Sequence, residues 1–424
     1  MSARAGIVVT GTEVLTGRVS DRNGPWLAEQ LRSVGVDIAG TLVVGDRPED
    51  MRWALQALAD LRVDLIVTSG GLGPTADDLT AEVVSGFQGR ALHLDEALER
   101  RIATIVAELM ARRRWQVSAE ANAVAVRKQA MVPADAAVLG PAGTAPGLVV
   151  PAASAGRPPV VVLPGPPWEL QQLWPAALAE ETVARALAGR AELRQQTMRL
   201  WNTPESAIAG TLRELAGRLD GLEITTCLRG GELEVVTRFG PAQQPSYDGL
   251  VAAFAAAYGT RLFSMDGATV DEIVAQSLSR SGRTVATAES CTAGLLAGRL
   301  TELPGSSEWV RGGLVVYSNA AKSALAGVPT ELLERVGAVS AEVALALAQG
   351  ARTALEADVG VGITGIAGPG GGSPTKPVGL VHICVDSEQG RREERLELPG
   401  SRSDVRLRSV GLALHLLREL LAQG

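Results

Sequence analysis

The stretch TVATAESCTAG, residues 284–294, decides how the last third of the chain is read. Residues 284–288 read as a strand, and the segment after Cys291 reads as a helix. Ser290 then stands at a strand-to-helix junction, where helix N–H groups would lie near the charge that develops on an attacked carbonyl. A serine at such a junction is also an ordinary helix cap. The residues Glu289 to Thr292 alone do not separate nucleophile from cap.

A second junction follows in GGLVVYSNAAK, residues 312–322. If Ser318 or Asn319 caps the helix there, Lys322 falls in its first turns, where positive charge is disfavoured. A desolvated lysine in that place has a lowered pKa and can act as a base. Tyr317, at the carboxyl end of its strand, would face the same crevice and share the proton. A third element is TGIAGPGGGS, residues 364–373, followed by KPVG, residues 376–379. Gly368, Gly370, Gly371, Gly372 and Ser373 form a loop whose N–H groups can converge on an anion. It lacks the Gly-Lys-Ser/Thr ending of a Walker loop. Cys291 is a competing nucleophile, but one residue onward it points elsewhere and reads as a buried thiol.

The rest of the chain frames this domain. In the first third, residues 6–10, 38–44 and 64–68 read as strands, and residues 26–34 and 49–61 as helices, the rhythm of βαβ units around a largely parallel sheet. Residues 95–115 read as a helix with Arg112, Arg113 and Arg114 in its last turn. Residues 148–150 and 160–163 suggest a hairpin, ended by Pro164-Gly165-Pro166-Pro167. A small α+β unit is expected next: a helix to Gly189, a strand at 196–200, a helix at 204–219, and strands 223–227 and 233–238 turned by Gly230-Gly231. The last domain carries helices at 269–280 and 402–421 and strands at 284–288, 314–317, 359–364 and 378–385. Weak alternation in those strands fits a sheet covered on both faces. The expected fold is therefore α/β overall, in three domains: 1–172, 173–260 and 261–424.

Composition narrows the class. A net charge of −7, with no Lys/Arg-rich tract and few Phe and Tyr, argues against a general nucleic-acid surface. No run of eighteen apolar residues suggests a membrane span, and the opening residues do not have the layout of an export signal, which fits a cytoplasmic enzyme. Cys227, Cys291 and Cys384, and His93, His382 and His415, lack the spacing of a disulfide framework or a zinc site.

In the N-terminal part, TSGGLGPT, residues 68–75, follows a strand and is succeeded by Asp77 and Asp78 at a helix start. Small residues, N–H donors and acids suit a phosphate group and a divalent ion, with Asp77 and Asp78 as candidate metal ligands. Gly11-Thr12-Glu13, Asn23 and Arg127-Lys128-Gln129 are candidates for the same crevice. The candidate ligand or catalytic set there is Glu13, Asn23, Gly70, Gly71, Gly73, Thr75, Asp77, Asp78 and Lys128.

Taken in order, residues 288–292, 304–307, 316–322, 337–340, 364–373 and 376–379 resemble the CinA family, whose C-terminal domain is nicotinamide mononucleotide deamidase. The resemblance covers roughly residues 265–420. It implies Ser290 as nucleophile, Tyr317 and Lys322 as its partners, and an arginine early in the final helix, matched by Arg406 or, less well, Arg408. Thr292, the glycine-rich loop with Ser373, and Arg406 would bind the nucleotide, and deamidation needs no cofactor. One departure is Ala293, where the family usually has Gly.

Residues 4–170 likewise resemble CinA proteins, whose N-terminal domain is similar to the three-layer molybdopterin-binding domains of molybdenum-cofactor biosynthesis. In some members that domain looks like an ADP-ribose pyrophosphatase dependent on divalent metal and potassium. The usual Thr-Asn is here Arg22-Asn23, so fold transfers more securely than activity. Three functions follow as expectations: a bifunctional nucleotide-recycling enzyme, a deamidase with a silent ligand-binding N-terminal domain, or a competence-associated nucleic-acid-binding factor. A homodimer is expected, with apolar positions of residues 410–421 packing on their own domain or on a second subunit.

Overall fold

The structure, a computed structural model, describes residues 2–114, 118–154 and 156–422. The expected helix end at Trp115 lies outside the described residues; the helix is described over Glu96–Arg113, with Arg114 in a left-handed cap. The chain divides into two compact units, Met1–Arg194 and Gln195–Gly424.

The first unit is built on a six-stranded sheet. Strands Arg4–Thr10, Asp37–Val44, Leu65–Ser69 and Val160–Leu163 pair in parallel. Gly147–Val150 and Ala137–Leu139 extend the sheet antiparallel. The expected hairpin of residues 148–150 and 160–163 is thus present, in register Leu148 to Val162. Separate apolar cores cover the two sheet faces, which makes three layers.

One boundary differs from the expected 172. Helices Pro167–Ala179 and Glu181–Ala186 bury Leu170, Leu173, Trp174, Ala177 and Val183 in the core of the first sheet. A helix rich in Ala, Leu and Glu carries no mark of which sheet it will cover, so its sequence could not assign it.

The second unit holds two sheets. Four strands order as Leu222–Arg229, Glu232–Phe239, Arg194–Trp201 and Leu262–Ser264. The turn between the first two is Gly230-Gly231, with φ of 62° and 92°, the double positive φ of a tight hairpin. Because Leu262–Ser264 pairs with Arg194–Trp201, this middle domain extends past residue 260.

The C-terminal sheet has five strands. Val310–Val315, Val285–Glu289 and Val359–Gly365 run parallel, while Leu380–Ser387 and Gly390–Glu397 continue antiparallel. The last, GRREERLE, is a charged edge strand that the sequence reading did not identify. Charge at an edge repels further strand pairing, and it also removes the apolar signal by which strands are found.

The C-terminal helix Arg402–Leu421 opens with a capping box, Ser401 with Asp404. Val410, Leu412 to Leu417, Leu420 and Leu421 are buried within this chain. The apolar face that left a second subunit open as a partner therefore packs on its own domain. Among the described residues, no helix is long and apolar enough to cross a membrane.

Candidate functional site

Three neighbouring strands deliver the C-terminal site. Ser290 follows Val285–Glu289, and its N–H donates to the Ile363 carbonyl at 2.9 Å, which extends the pairing with Val359–Gly365 by one residue. On the other side Val316 N–H donates to the Glu289 carbonyl at 2.8 Å. Successive side chains alternate between faces: Val285 joins the core under the C-terminal helix, while Ala286 and Ala288 join the opposite core. Ser290 therefore faces the side that carries helix Asn319–Ala326.

Lys322 sits in that helix, which Ser318 caps through the Ala321 N–H at 3.1 Å. Its side chain is only 2% exposed. Nζ donates to Ser290 Oγ at 3.1 Å, to the Val316 carbonyl at 3.1 Å and to the Tyr317 carbonyl at 3.3 Å. No carboxylate bonds to it among the described residues. Burial, the larger influence, holds its pKa below the usual lysine range, and the nearby Cys291 acts weakly the other way. A neutral amine has two N–H groups and one lone pair. In that form the two carbonyls would take the two N–H groups, and the lone pair would turn to the serine hydroxyl, reversing the Ser290 hydrogen bond.

The expectation that a helix N-terminus lies beside Ser290 is corrected. The helix begins only at Leu295, and its N–H groups are taken by Glu289. Fully buried, the Glu289 carboxylate accepts from Gly294 N at 3.0 Å, Leu296 N at 3.1 Å and Ala297 N at 2.8 Å. Replacing Glu289 by Gln would turn one oxygen into a donor facing those N–H groups. We expect a loss of about 2–3 kcal/mol in urea unfolding, and a loss below about 0.5 kcal/mol would refute the cap.

The loop between is held from its other side. Arg406 Nε donates to the Cys291 carbonyl and its NH2 group to the Thr292 carbonyl, both at 3.0 Å. Thr292 is fully buried and its hydroxyl has no partner among the described residues. Ala293 stands at φ 52°, a left-handed position that favours glycine and costs an alanine about 1 kcal/mol. Cys291 is buried, and burial pushes its thiol up to about 11, so little of it is thiolate near neutral pH.

Tyr317 is 60% exposed, and its phenol accepts from Arg402 NH2 at 3.0 Å; the side chain makes no hydrogen bond to Lys322. Arg402 NH1 also donates to the Gly368 carbonyl at 2.8 Å, so it ties the tyrosine to the glycine-rich loop. Sequence reading missed Arg402 and favoured Arg406, because both lie early in one helix and only its rotation separates them. Arg408 is exposed near Asp404. Gly370, Gly371, Gly372 and Ser373 are exposed, and Ser373 closes a turn with Lys376.

In the N-terminal unit the candidate residues gather only partly. Asn23 Nδ2 donates to Ser69 Oγ at 2.8 Å and to the Gly165 carbonyl at 2.7 Å, while its Oδ1 is buried without a partner among the described residues. Asp21, not Arg22, caps this helix by accepting from Asn23 N and Gly24 N, each at 2.9 Å. Gly70 has φ 104°, and a Cβ there would lie 2.5 Å from the Thr10 carbonyl oxygen. At Gly71 a Cβ would collide with the Thr80 hydroxyl, and at Gly73 it would lie 2.5 Å from Asp78.

Thr75 donates to Asp77 and Asp78, each at 2.5 Å, and the Thr75 hydroxyl is what lowers the Asp77 pKa most. Lys128 donates to the Thr75 carbonyl and Gln129 to the Leu72 carbonyl, whereas Arg127 pairs with Glu99. Glu13 is exposed on a short helix and makes no side-chain hydrogen bond to this loop. Among the described residues, no three His, Cys, Asp or Glu side chains are grouped as a metal would need. Asp77 and Asp78 offer at most two carboxylates.

Comparison with known proteins follows this division. Residues 267–421 match the CinA C-terminal domain, and residues 6–184 match the probable molybdopterin binding domain. A CinA-like protein of Mycolicibacterium vanbaalenii is 56% identical over 428 residues and covers both chains completely. The CinA-like protein of Mycobacterium tuberculosis is 54% identical, covering all of this chain and 98% of its own. Among solved structures, the competence/damage inducible protein CihA of Agrobacterium tumefaciens is 42% identical over 38% of this chain and 100% of its own, with a TM-score of 0.35.

Proposed function

Because this chain belongs to the CinA family along its whole length, we propose that its C-terminal domain hydrolyses the carboxamide of nicotinamide mononucleotide to nicotinate mononucleotide and ammonia. The observation that carries the reading is Lys322 Nζ, buried, 3.1 Å from Ser290 Oγ and, among the described residues, bonded to no carboxylate. Burial holds the amine below the usual lysine range, which favours its neutral, basic form, and it touches the one hydroxyl that needs activating.

Ser290 Oγ attacks the carboxamide carbon as its proton passes to Lys322. The C–N bond then breaks, Lys322 returns the proton to the leaving nitrogen, and ammonia departs. Water, deprotonated by the same lysine, hydrolyses the nicotinoyl ester and restores Ser290. With the helix N–H groups spent on Glu289, the oxyanion is left to backbone N–H groups of residues 291–293, held by Arg406. Arg402 and the loop from Gly368 to Ser373 receive the phosphate at the open mouth beside Tyr317. None of these residues requires a metal.

The test is release of ammonia by the purified full-length chain from nicotinamide mononucleotide, against nicotinamide and nicotinamide riboside at equal concentration. We expect turnover of the mononucleotide and at least tenfold lower kcat/KM for the compounds without phosphate. Equal rates on all three would remove the phosphate role of Arg402, and no ammonia from any would remove the reading itself.

A second site is supported by the cramped glycines at 70, 71 and 73, at the carboxyl ends of the strands, and by Asn23 Oδ1, which is buried without a partner among the described residues and can accept from an N–H or hydroxyl of a ligand. We propose ligand binding there, and pyrophosphatase activity only if substrate phosphate completes the coordination that Asp77 and Asp78 begin. Full-length protein given ADP-ribose with divalent metal and potassium should release AMP and ribose 5-phosphate. Binding without turnover would leave the domain a silent ligand site.

A further inference from the structure

The C-terminal helix is about 30 Å long and joins two places. Its first turns bring Arg402 and Arg406 to the Ser290 site. About 20 Å along the helix from Arg402, His415 is fully buried against the middle domain. Its Nε2 lies 3.0 Å from Glu232 Oε1, its ring stacks on Trp201 at 3.9 Å, and Phe263 meets it edge-on at 4.8 Å. Glu232, Trp201 and Phe263 all belong to the middle sheet, and the two aromatics pack onto the C-terminal core. A Cβ on Gly411 of the helix would lie 3.5 Å from the Gly230 carbonyl oxygen, so helix and hairpin are in close approach.

Charges surround this contact from every packed element. Arg199 lies 3.8 Å from Glu232 and 2.5 Å from Glu234, and Arg229 is 4.0 Å from Glu234. Arg299, held by Asp271 at 2.7 Å, also feels Glu232. Arg418 stacks over Phe263 at 5.2 Å and pairs with Glu419 at 3.2 Å. Burial is the main influence that keeps the His415 pKa below the ordinary histidine value. Glu232 favours the charged imidazole, but burial outweighs it. The neutral ring donates from Nε2 to Glu232, and its Nδ1 is buried without a partner among the described residues.

We propose that Glu232, Trp201 and His415 are positioning residues for the Ser290 site, acting through the C-terminal helix. The proposal rests on the deamidase reading for its kinetic part. A helix moves as a rod, and the contacts at its other end have narrow tolerance. Arg402 spans Tyr317 and Gly368 at 3.0 and 2.8 Å, and Arg406 holds the Cys291 and Thr292 carbonyls at 3.0 Å. A slip of about 1 Å breaks bonds of that length and displaces the loop that follows the nucleophile. The middle domain thereby acquires a role in the reaction.

The test uses the full-length chain with Glu232→Ala and Glu232→Gln. Removing the carboxylate should lower kcat about tenfold with KM changed less than twofold, and Gln, which keeps an acceptor for the His415 N–H, should restore at least half of the loss. Hydrogen exchange followed by mass spectrometry should quicken in Glu232→Ala at residues 402–408 as well as 409–418. The strands Val285–Glu289 and Val359–Gly365 should remain protected. If Glu232→Ala does not fold, Trp201→Leu, which removes the stack but keeps an apolar side chain, should give the same pattern.

Faster exchange confined to the hairpin and residues 409–418, with kcat and residues 402–408 unchanged, would show an interface that only glues two domains and would overturn the proposal. If the wild-type chain releases no ammonia, the deamidase reading fails by itself. Exchange at residues 402–408 then still decides whether the grip reaches the far end of the helix.

Discussion

Ser290→Ala should leave a folded protein with deamidation reduced on the order of 10³-fold or more. The substitution removes the attacking oxygen and one 3.1 Å contact with Lys322. Ser290 caps no helix, since the following helix starts at Leu295 and is capped by Glu289, so the loss of stability should stay within about 1 kcal/mol. Ammonia release and thermal unfolding on the same preparation separate the two effects. Near-normal turnover in folded protein would end the case for Ser290. Cys291 is a poor substitute, because burial holds its thiol at about 11.

Lys322→Met should lower kcat by about 10² to 10⁴, the range of a lost general base, with KM within severalfold. Methionine keeps much of the stem volume in a position that is 2% exposed. Stability gives a second readout whose sign follows from burial. The folded chain resists protonating Lys322, whereas the unfolded chain takes up that proton once the pH falls below about 10.4. Wild type therefore loses stability as pH falls from that value towards the lowered folded pKa, and the variant lacks this slope. The Tm difference, variant minus wild type, should move in the variant's favour as pH is lowered from 10.5 to 8. A difference independent of pH would mean that Lys322 titrates normally.

How much of this was legible depended on whether a residue works through its type or through its direction. Ser290 and Lys322 are marked by where they fall relative to strand ends and helix starts, and the structure places them in hydrogen-bond contact. Glycines at 70 and 71 reveal a backbone need that any reader of sequence can suspect. Arg402 and Arg406 share one helix and one chemistry, and only rotation sends the first to Tyr317 and the second to the loop carbonyls.

Glu289 could not be read as a cap because it precedes the serine, while caps are sought at the helix start itself. The helix Pro167–Ala179 looks like part of the middle domain until its partners in the first core are known. Strand Gly390–Glu397 hides behind its charge. His415, scattered among three histidines without metal spacing, gains meaning only from Glu232 and Trp201, distant in sequence.

The central claim is a covalent step on one oxygen, and rapid acid quench of wild-type protein turning over nicotinamide mononucleotide tests it most directly. Peptide mass spectrometry should find the nicotinate mononucleotide acyl group as an ester on Ser290, and no adduct in Ser290→Ala. An adduct on Cys291 or Lys322, or turnover that proceeds with Ser290 unmodified at every quench time, would contradict the account.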